Sequence, residues 1–285
     1  MPALVTPFDS AGDLDLAAHH HNLALLWERG VRGFLIGGSN GEGPYLEPGE
    51  RATLVGAART ETPGAFVMCC VVAQSVRQAR HQAEEAAAAG ADAVLLLSPT
   101  TLIRGNHAAV SRFFAAAAAA APIPALMYSM PRVTAYEFPE NAVIEAAGFG
   151  NIVGIKDSGG DSDRILRLLP ALPDGFRLFV GSSAILDTTI AGGAHGAITG
   201  SANYAHDLVG SLIAVARAGG PVEPLQQRLI ALAGAVEGYG VGGLKEAARR
   251  CGLRPGLPRA PLEPLGEEGR RVVAEALRTA GITYE

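Results

Sequence analysis

Lysine is almost missing from this chain. Of its 23 basic residues only Lys156 and Lys245 are lysines, and the other 21 are arginines. Cysteine is scarce too, with three in all and no C-x-x-C pair, which removes a disulfide framework and a cysteine zinc site. Cys69 and Cys70 fall inside the apolar run AFVMCCVV, where free thiols pack as small hydrophobes. Charged residues make up 18% of the chain and the net charge is −5, so there is no basic surplus for nucleic acid. Apolar stretches are broken by proline, glycine or charge before they reach the length of a membrane span. The opening MPALVTPFDSAGD carries neither the basic nor the apolar region of a signal peptide. Reduced thiols and no leader lead to the expectation of a cytoplasmic protein.

What the chain does have is apolar residues (48%), 36 glycines and 18 prolines, a globular composition with many tight turns. Eight short apolar runs recur along it: PALVTPF (2–8), GFLIGG (33–38), AFVMCCVV (65–72), AVLLLS (93–98), PALMYS (124–129), IVGIK (152–156), RLFVG (177–181) and GAITG (196–200). Segments of helical spacing lie between them, among them LAAHHHNLALLWERG, SVRQARHQAEEAAAAG and DRILRLLPALP, several starting at Ser, Asp or Pro and stopping at Gly. Continuous apolar runs are what strands buried on both faces look like, and strand–helix alternation implies a parallel sheet. Eight such units predict an α/β fold, a (β/α)8 TIM barrel over residues 1–220. Residues 221–285 have no strand signal and read as a C-terminal helical appendage. A doubly wound open sheet is the alternative, but it lacks a glycine fingerprint.

In such a barrel the active site gathers at the C-terminal ends of the strands. The polar residues at those ends are Thr6, Ser39, Asn40, Ser98, Thr100, Tyr128, Lys156, Thr199 and Ser201. No carboxylate pair stands out. A lysine, a tyrosine and several hydroxyls at one mouth suit Schiff-base chemistry, because an amine that sheds its proton when desolvated attacks a carbonyl and guanidinium does not. A chain that uses arginine almost everywhere has reason to keep a lysine there. The bland reading is a strand-end lysine reaching solvent or pairing with Asp157, and a Tyr128 that merely fills the mouth. GGSNGEG (37–43) is a glycine-rich turn before a helix, suited to a carboxylate or phosphate or simply to turning the chain; it is neither a Walker A loop nor G-x-G-x-x-G. His19, His20 and His21 point about 100° apart on a helix and do not converge on a metal. Lys245, in GGLKEAARR, reads as a solvated helix charge.

These motifs resemble the dihydrodipicolinate synthase and N-acetylneuraminate lyase family, the pyruvate-dependent class I aldolases. The resemblance runs through ALVTPF, RGFLIGGSNGE, YSMP, IVGIKDSGGD and GAITGSAN, nearly the whole chain. GSNGE in place of GTTGE, together with KDSGGD and the tail GGLKEAARRCG…RAPLEPL, is most similar to the 4-hydroxy-2-oxoglutarate aldolases. The resemblance implies Lys156 as the Schiff-base lysine and Tyr128 as the catalytic tyrosine. It implies Ser39 and Asn40 as the pair that holds the substrate carboxylate, with the backbone of the turn through Gly41. Ile198 would line the pyruvate pocket, with Ser158 and Gly181 as further pocket positions. It also implies no metal or organic cofactor, a small 2-oxo acid and an aldehyde as reactants, and a homotetramer or homodimer.

Two departures bear on the substrate. The synthases place an arginine two residues after the proline of their Y-N-V-P segment; here that position is Val133, and Arg132 comes one residue early, either pointing elsewhere or serving as the partner of a second carboxylate. The synthases also carry a tyrosine pair after strand four, and SPTTLIRG has none. The expected activity is therefore cleavage of a 2-oxo acid to pyruvate, with 4-hydroxy-2-oxoglutarate giving glyoxylate as well. Dihydrodipicolinate synthesis, a sugar-acid aldolase or dehydratase, and a non-catalytic 2-oxo-acid sensor are the alternatives.

Overall fold

The computed structural model describes residues 1–282. Seven parallel strands form one curled sheet in chain order: β1 (Gly33–Ile36), β2 (Phe66–Val71), β3 (Ala93–Leu97), β4 (Ala125–Ser129), β5 (Ile152–Asp157), β6 (Arg177–Val180) and β7 (Gly196–Ala197). The first residues close the ring. Ala3 donates its N–H to the Thr199 carbonyl at 3.0 Å, and Leu4 donates to Leu35 at 2.9 Å, so residues 2–4 stand between the last strand and β1. The eight apolar runs are thus the eight staves of a (β/α)8 TIM barrel.

Period-two alternation explains why the runs are apolar throughout. Along β2, Met68 and Cys70 join Leu35, Leu95, Leu126 and Ile198 in the barrel interior. Val67, Cys69 and Val71 face the other way, into the shell between sheet and helices. Burial pushes the Cys69 and Cys70 thiols up to about 12 and about 11, which leaves both as inert packing groups.

The helices start where short polar side chains satisfy the first free N–H groups: Asp15 accepts from Ala18, Ser75 from Gln78, Asn106 from Ala109 and Asp161 from Arg164. Leu16–Glu28 is the histidine-bearing helix. Its three imidazoles go to three places, His19 to the Leu54 carbonyl, His20 to Glu61 and His21 to the Gly252 carbonyl. Past Arg217 come helices Glu223–Glu237, Gly240–Arg250 and Glu267–Thr279. The middle one reaches back to the barrel mouth.

Lys245 on that helix is not a solvated charge. It is buried, ion-paired to Glu42 at 2.6 Å, and its ammonium donates to the carbonyls of Thr6 (2.8 Å) and Leu257 (2.6 Å). The helix pattern gave no hint of this because its partners lie far away in the chain.

Candidate active site

Tyr128 and Lys156 occupy matching positions on neighbouring strands β4 and β5. Both are buried, and both point into the barrel. The Lys156 ammonium nitrogen lies 3.2 Å from the Tyr128 hydroxyl and 4.3 Å from the centre of its ring. One residue further along β5 the parity reverses. Asp157 points outward and pairs with the buried Arg164 at 3.0 Å, so it does not partner Lys156. Lys156 is therefore a buried amine whose polar neighbour is a phenol, at the floor of a cavity of about 380 Å³.

Ser39, Asn40, Ser158, Gly181 and Ile198 line that cavity with the lysine and tyrosine. Ser39 and Asn40 come from a single 3₁₀ turn, Ser39–Gly41, straight after β1. Gly200 makes room for Asn40, since a Cβ there would stand 2.7 Å from the Asn40 amide nitrogen. Gly181 is required by contact: a Cβ would collide with the Ser158 hydroxyl and meet Lys156 Cε at 3.0 Å. The Ser158 hydroxyl is buried without a hydrogen-bond partner and so is available to a bound molecule.

Gly41 is the exception among the expected site residues, because it does not line the cavity. Its carbonyl accepts from the Thr6 hydroxyl at 2.7 Å, and an added Cβ would press on the Leu4 carbonyl at 2.6 Å. Its part is to let the turn lie flat against the N-terminal segment. Glu42 follows in the left-handed region (φ 57°), held by Lys245 and by the Arg259 N–H at 2.7 Å. The turn that carries Ser39 and Asn40 is thus fastened from the C-terminal side.

Arg132 and Val133, on the short helix Pro131–Thr134, both line the cavity. Sequence reasoning missed the lining that Glu237, Gly240, Val241 and Leu244 contribute. VEGYGVGG announces a break between two helices, but nothing local ties it to a strand end. Burial raises the Glu237 carboxyl above the usual range, while Arg132 and then Lys156 pull the other way. Chemically the site offers a primary amine, an adjacent phenol, small hydroxyl and amide groups, an arginine and a carboxyl. A larger hollow of about 790 Å³ between helices Glu223–Glu237 and Glu267–Thr279 holds no comparable set of groups.

The profile of the Dihydrodipicolinate synthetase family matches residues 1–280. The chain belongs to that family. With it goes membership of the pyruvate-dependent class I aldolases, which are enzymes. A 4-hydroxy-tetrahydrodipicolinate synthase from Azoarcus sp. (strain BH72) is 30% identical over 289 residues, covering 98% of this chain and 97% of that one. The chloride-inhibited dihydrodipicolinate synthase of Acinetobacter baumannii, solved in complex with pyruvate, superimposes with a TM-score of 0.93 at 27% identity, covering 99% of this chain and 98% of that one. The 4-hydroxy-tetrahydrodipicolinate synthase of Methylacidiphilum fumariolicum SolV gives 0.91 at 28% identity, with 98% and 94% covered.

Proposed function

We propose that this family member cleaves a 4-hydroxy-2-oxo acid to pyruvate and an aldehyde through an imine on Lys156. The observation that carries the reading is the 3.2 Å contact between the Lys156 amine and the Tyr128 hydroxyl. The amine adds to the C2 carbonyl, water leaves, and the resulting iminium is an electron sink for the bond beside it. Tyr128 takes the proton of the C4 hydroxyl as the C3–C4 bond breaks, the aldehyde departs, and the enamine is protonated at C3. Water then releases pyruvate from the lysine. Ser39 and Asn40 hold the C1 carboxylate, Ile198 and Gly181 bound the methyl-sized end, and Ser158 supplies a free hydroxyl. The site runs this sequence with its own side chains.

For the aldehyde half the reading is glyoxylate, from 4-hydroxy-2-oxoglutarate. Arg132 lines the same cavity and is its second cationic side chain beside Lys156, a partner for a second carboxylate. The names of the relatives favour a second reading, condensation of pyruvate with an amino-acid semialdehyde. Val133 stands where the synthases carry their arginine, and that speaks for the cleavage reading.

Two measurements test this. Incubation with pyruvate and borohydride is expected to leave one reduced adduct per chain, mapped to Lys156; an adduct on Lys245, or none, overturns the mechanism. Comparison of kcat/KM is expected to favour cleavage of 4-hydroxy-2-oxoglutarate over condensation with aspartate semialdehyde. The reverse order would assign the chain to synthesis while leaving the imine chemistry intact.

A further inference from the structure

Glu237 is the last residue of its helix and lines the cavity together with Lys156 and Arg132. Other half-buried or buried carboxylates of this protein are matched. Glu42 has Lys245, Glu50 has Arg259, Asp157 has Arg164, and Glu246 has Arg249 and Arg250. Glu237 has no such partner: among the described residues no ion pair or hydrogen bond holds its carboxyl. The groups that face it are Arg132 from the short helix after β4, Lys156 from β5 with its bonded Tyr128, and Tyr204, whose buried hydroxyl is itself unpartnered. Gly240, Val241 and Leu244, the other members of its wall, bring no charge.

We propose that Glu237 is a specificity-determining residue that takes up a proton when the bound 2-oxo acid carries a second carboxylate, and so makes selection of dicarboxylates proton-linked. This rests on the imine reading, which fixes the orientation of the guest. With C1 at Ser39 and Asn40 and C2 on Lys156, the tail of the molecule is left to the rest of the lining, whose charged groups are Arg132 and Glu237. A carboxylate there is drawn to the guanidinium and repelled by an ionised Glu237. Protonation turns the same side chain from a repelling acceptor into a hydrogen-bond donor. Its position favours that protonation, since burial and the negative end of its own helix both work against an anion. A tail without charge has no such requirement.

The sign follows from linkage. A ligand whose binding takes up a proton loses affinity as pH rises, by up to about tenfold per unit for one proton. The probes are 2-oxoglutarate and 2-oxobutyrate, which have no C4 hydroxyl and are not cleaved. Their dissociation constants are measured with the full chain and with Glu237→Gln at pH 6 and pH 8. In the natural protein the ratio of the 2-oxoglutarate constant to the 2-oxobutyrate constant is expected to rise about tenfold between the two pH values. In Glu237→Gln it is expected to stay within about twofold. Calorimetry in two buffers of different ionisation enthalpy should show more proton uptake for 2-oxoglutarate than for 2-oxobutyrate in the natural protein and equal uptake for the two in the variant, since imine formation on Lys156 contributes alike to both. A flat ratio in the natural protein, or an equal slope in the variant, overturns the proposal. The calorimetric difference between the two ligands on the natural protein decides the matter even where the variant does not fold. Absence of a pyruvate adduct on Lys156 would instead overturn the imine reading, a separate outcome.

Discussion

Lys245 and Glu42 are joined by a buried ion pair of 2.6 Å, 203 positions apart in the chain, and that pair ties the C-terminal helix to the turn bearing Ser39 and Asn40. Burial lowers the Lys245 ammonium to about 8 in spite of the carboxylate beside it, so much of the attraction is consumed by desolvation. Removing one partner leaves a buried charge uncompensated. Lys245→Met or Glu42→Gln alone is expected to cost about 3–5 kcal/mol of stability by urea unfolding. The double variant is expected to lose less than the sum, because neither charge is then stranded. Equal additivity would show that the two groups act independently.

Lys156→Arg keeps a positive charge at the floor of the cavity but cannot form an imine. Turnover is expected to vanish while the circular dichroism spectrum is kept. Tyr128→Phe keeps most of the packing and deletes the proton carrier, so kcat should fall about 10²–10⁴-fold with trapping by pyruvate retained. An unchanged kcat in Tyr128→Phe would reduce the tyrosine to a packing group.

Arg132→Ala is expected to raise KM for 4-hydroxy-2-oxoglutarate by about ten- to a hundredfold. A hydrogen bond to a charged group is worth about 1.5–3 kcal/mol, and each 1.4 kcal/mol is roughly tenfold. KM for a 2-oxo acid with an uncharged tail should move little. Equal losses for both would mean that Arg132 shapes the cavity and does not read the tail.

Gly200→Ala tests the seat of Asn40. The new methyl would lie 2.7 Å from the Asn40 amide and 3.3 Å from Leu244 Cδ1, and the amide is the group free to swing away. Pyruvate affinity in the trapping assay is expected to drop several-fold, with a smaller change in the melting temperature. A variant with normal affinity would remove Asn40 from the carboxylate site.

His19 supplies a pH dependence of stability. Burial holds its imidazole down from 6.5 to about 4, and its Nε2 lies 3.2 Å from the Leu54 carbonyl. Between these two values the unfolded chain binds a proton that the folded chain does not, so stability falls as pH drops from 6.5 toward 4. The total from this group is roughly 3 kcal/mol at most. His19→Gln is expected to flatten that part of the profile in denaturant titrations at pH 4.5 and 7, and an unchanged difference between the two would show that other groups carry the acid sensitivity.

The strands were legible because a barrel stave is buried on both sides and leaves an unbroken apolar run. β7 is the limiting case: only Gly196 and Ala197 pair as a strand, yet GAITG still announces it. Tyr128 and Lys156 were legible because each ends a run, and parity along the strand decides that they face inward together. Parity also decides that Asp157 faces outward, although Arg164 as its partner emerged only from the fold. Residues that reach the site across space were not legible. Glu237, Val241 and Leu244 come from a helix junction whose only local mark is its glycines. Lys245 sits among Glu246, Arg249 and Arg250 and looks like them; what separates it is the pair of carbonyls at Thr6 and Leu257, which no periodicity reports. Gly41 was assigned to the pocket for its place in the turn, and its actual constraint is a carbonyl of the N-terminal segment behind it.

The closure of the ring through Ala3 and Thr199 also gives the barrel contacts of very different sequence separation. From β1 onward every stave lies beside its neighbour in the chain. The first stave meets the last across nearly the whole barrel, and contacts of such long separation slow folding. The turn bearing Ser39 and Asn40 is fastened from farther still, by Lys245. The lysine and tyrosine, 28 residues apart on neighbouring staves, are thus cheap to bring together in loop entropy, and the mouth around them is the costly part.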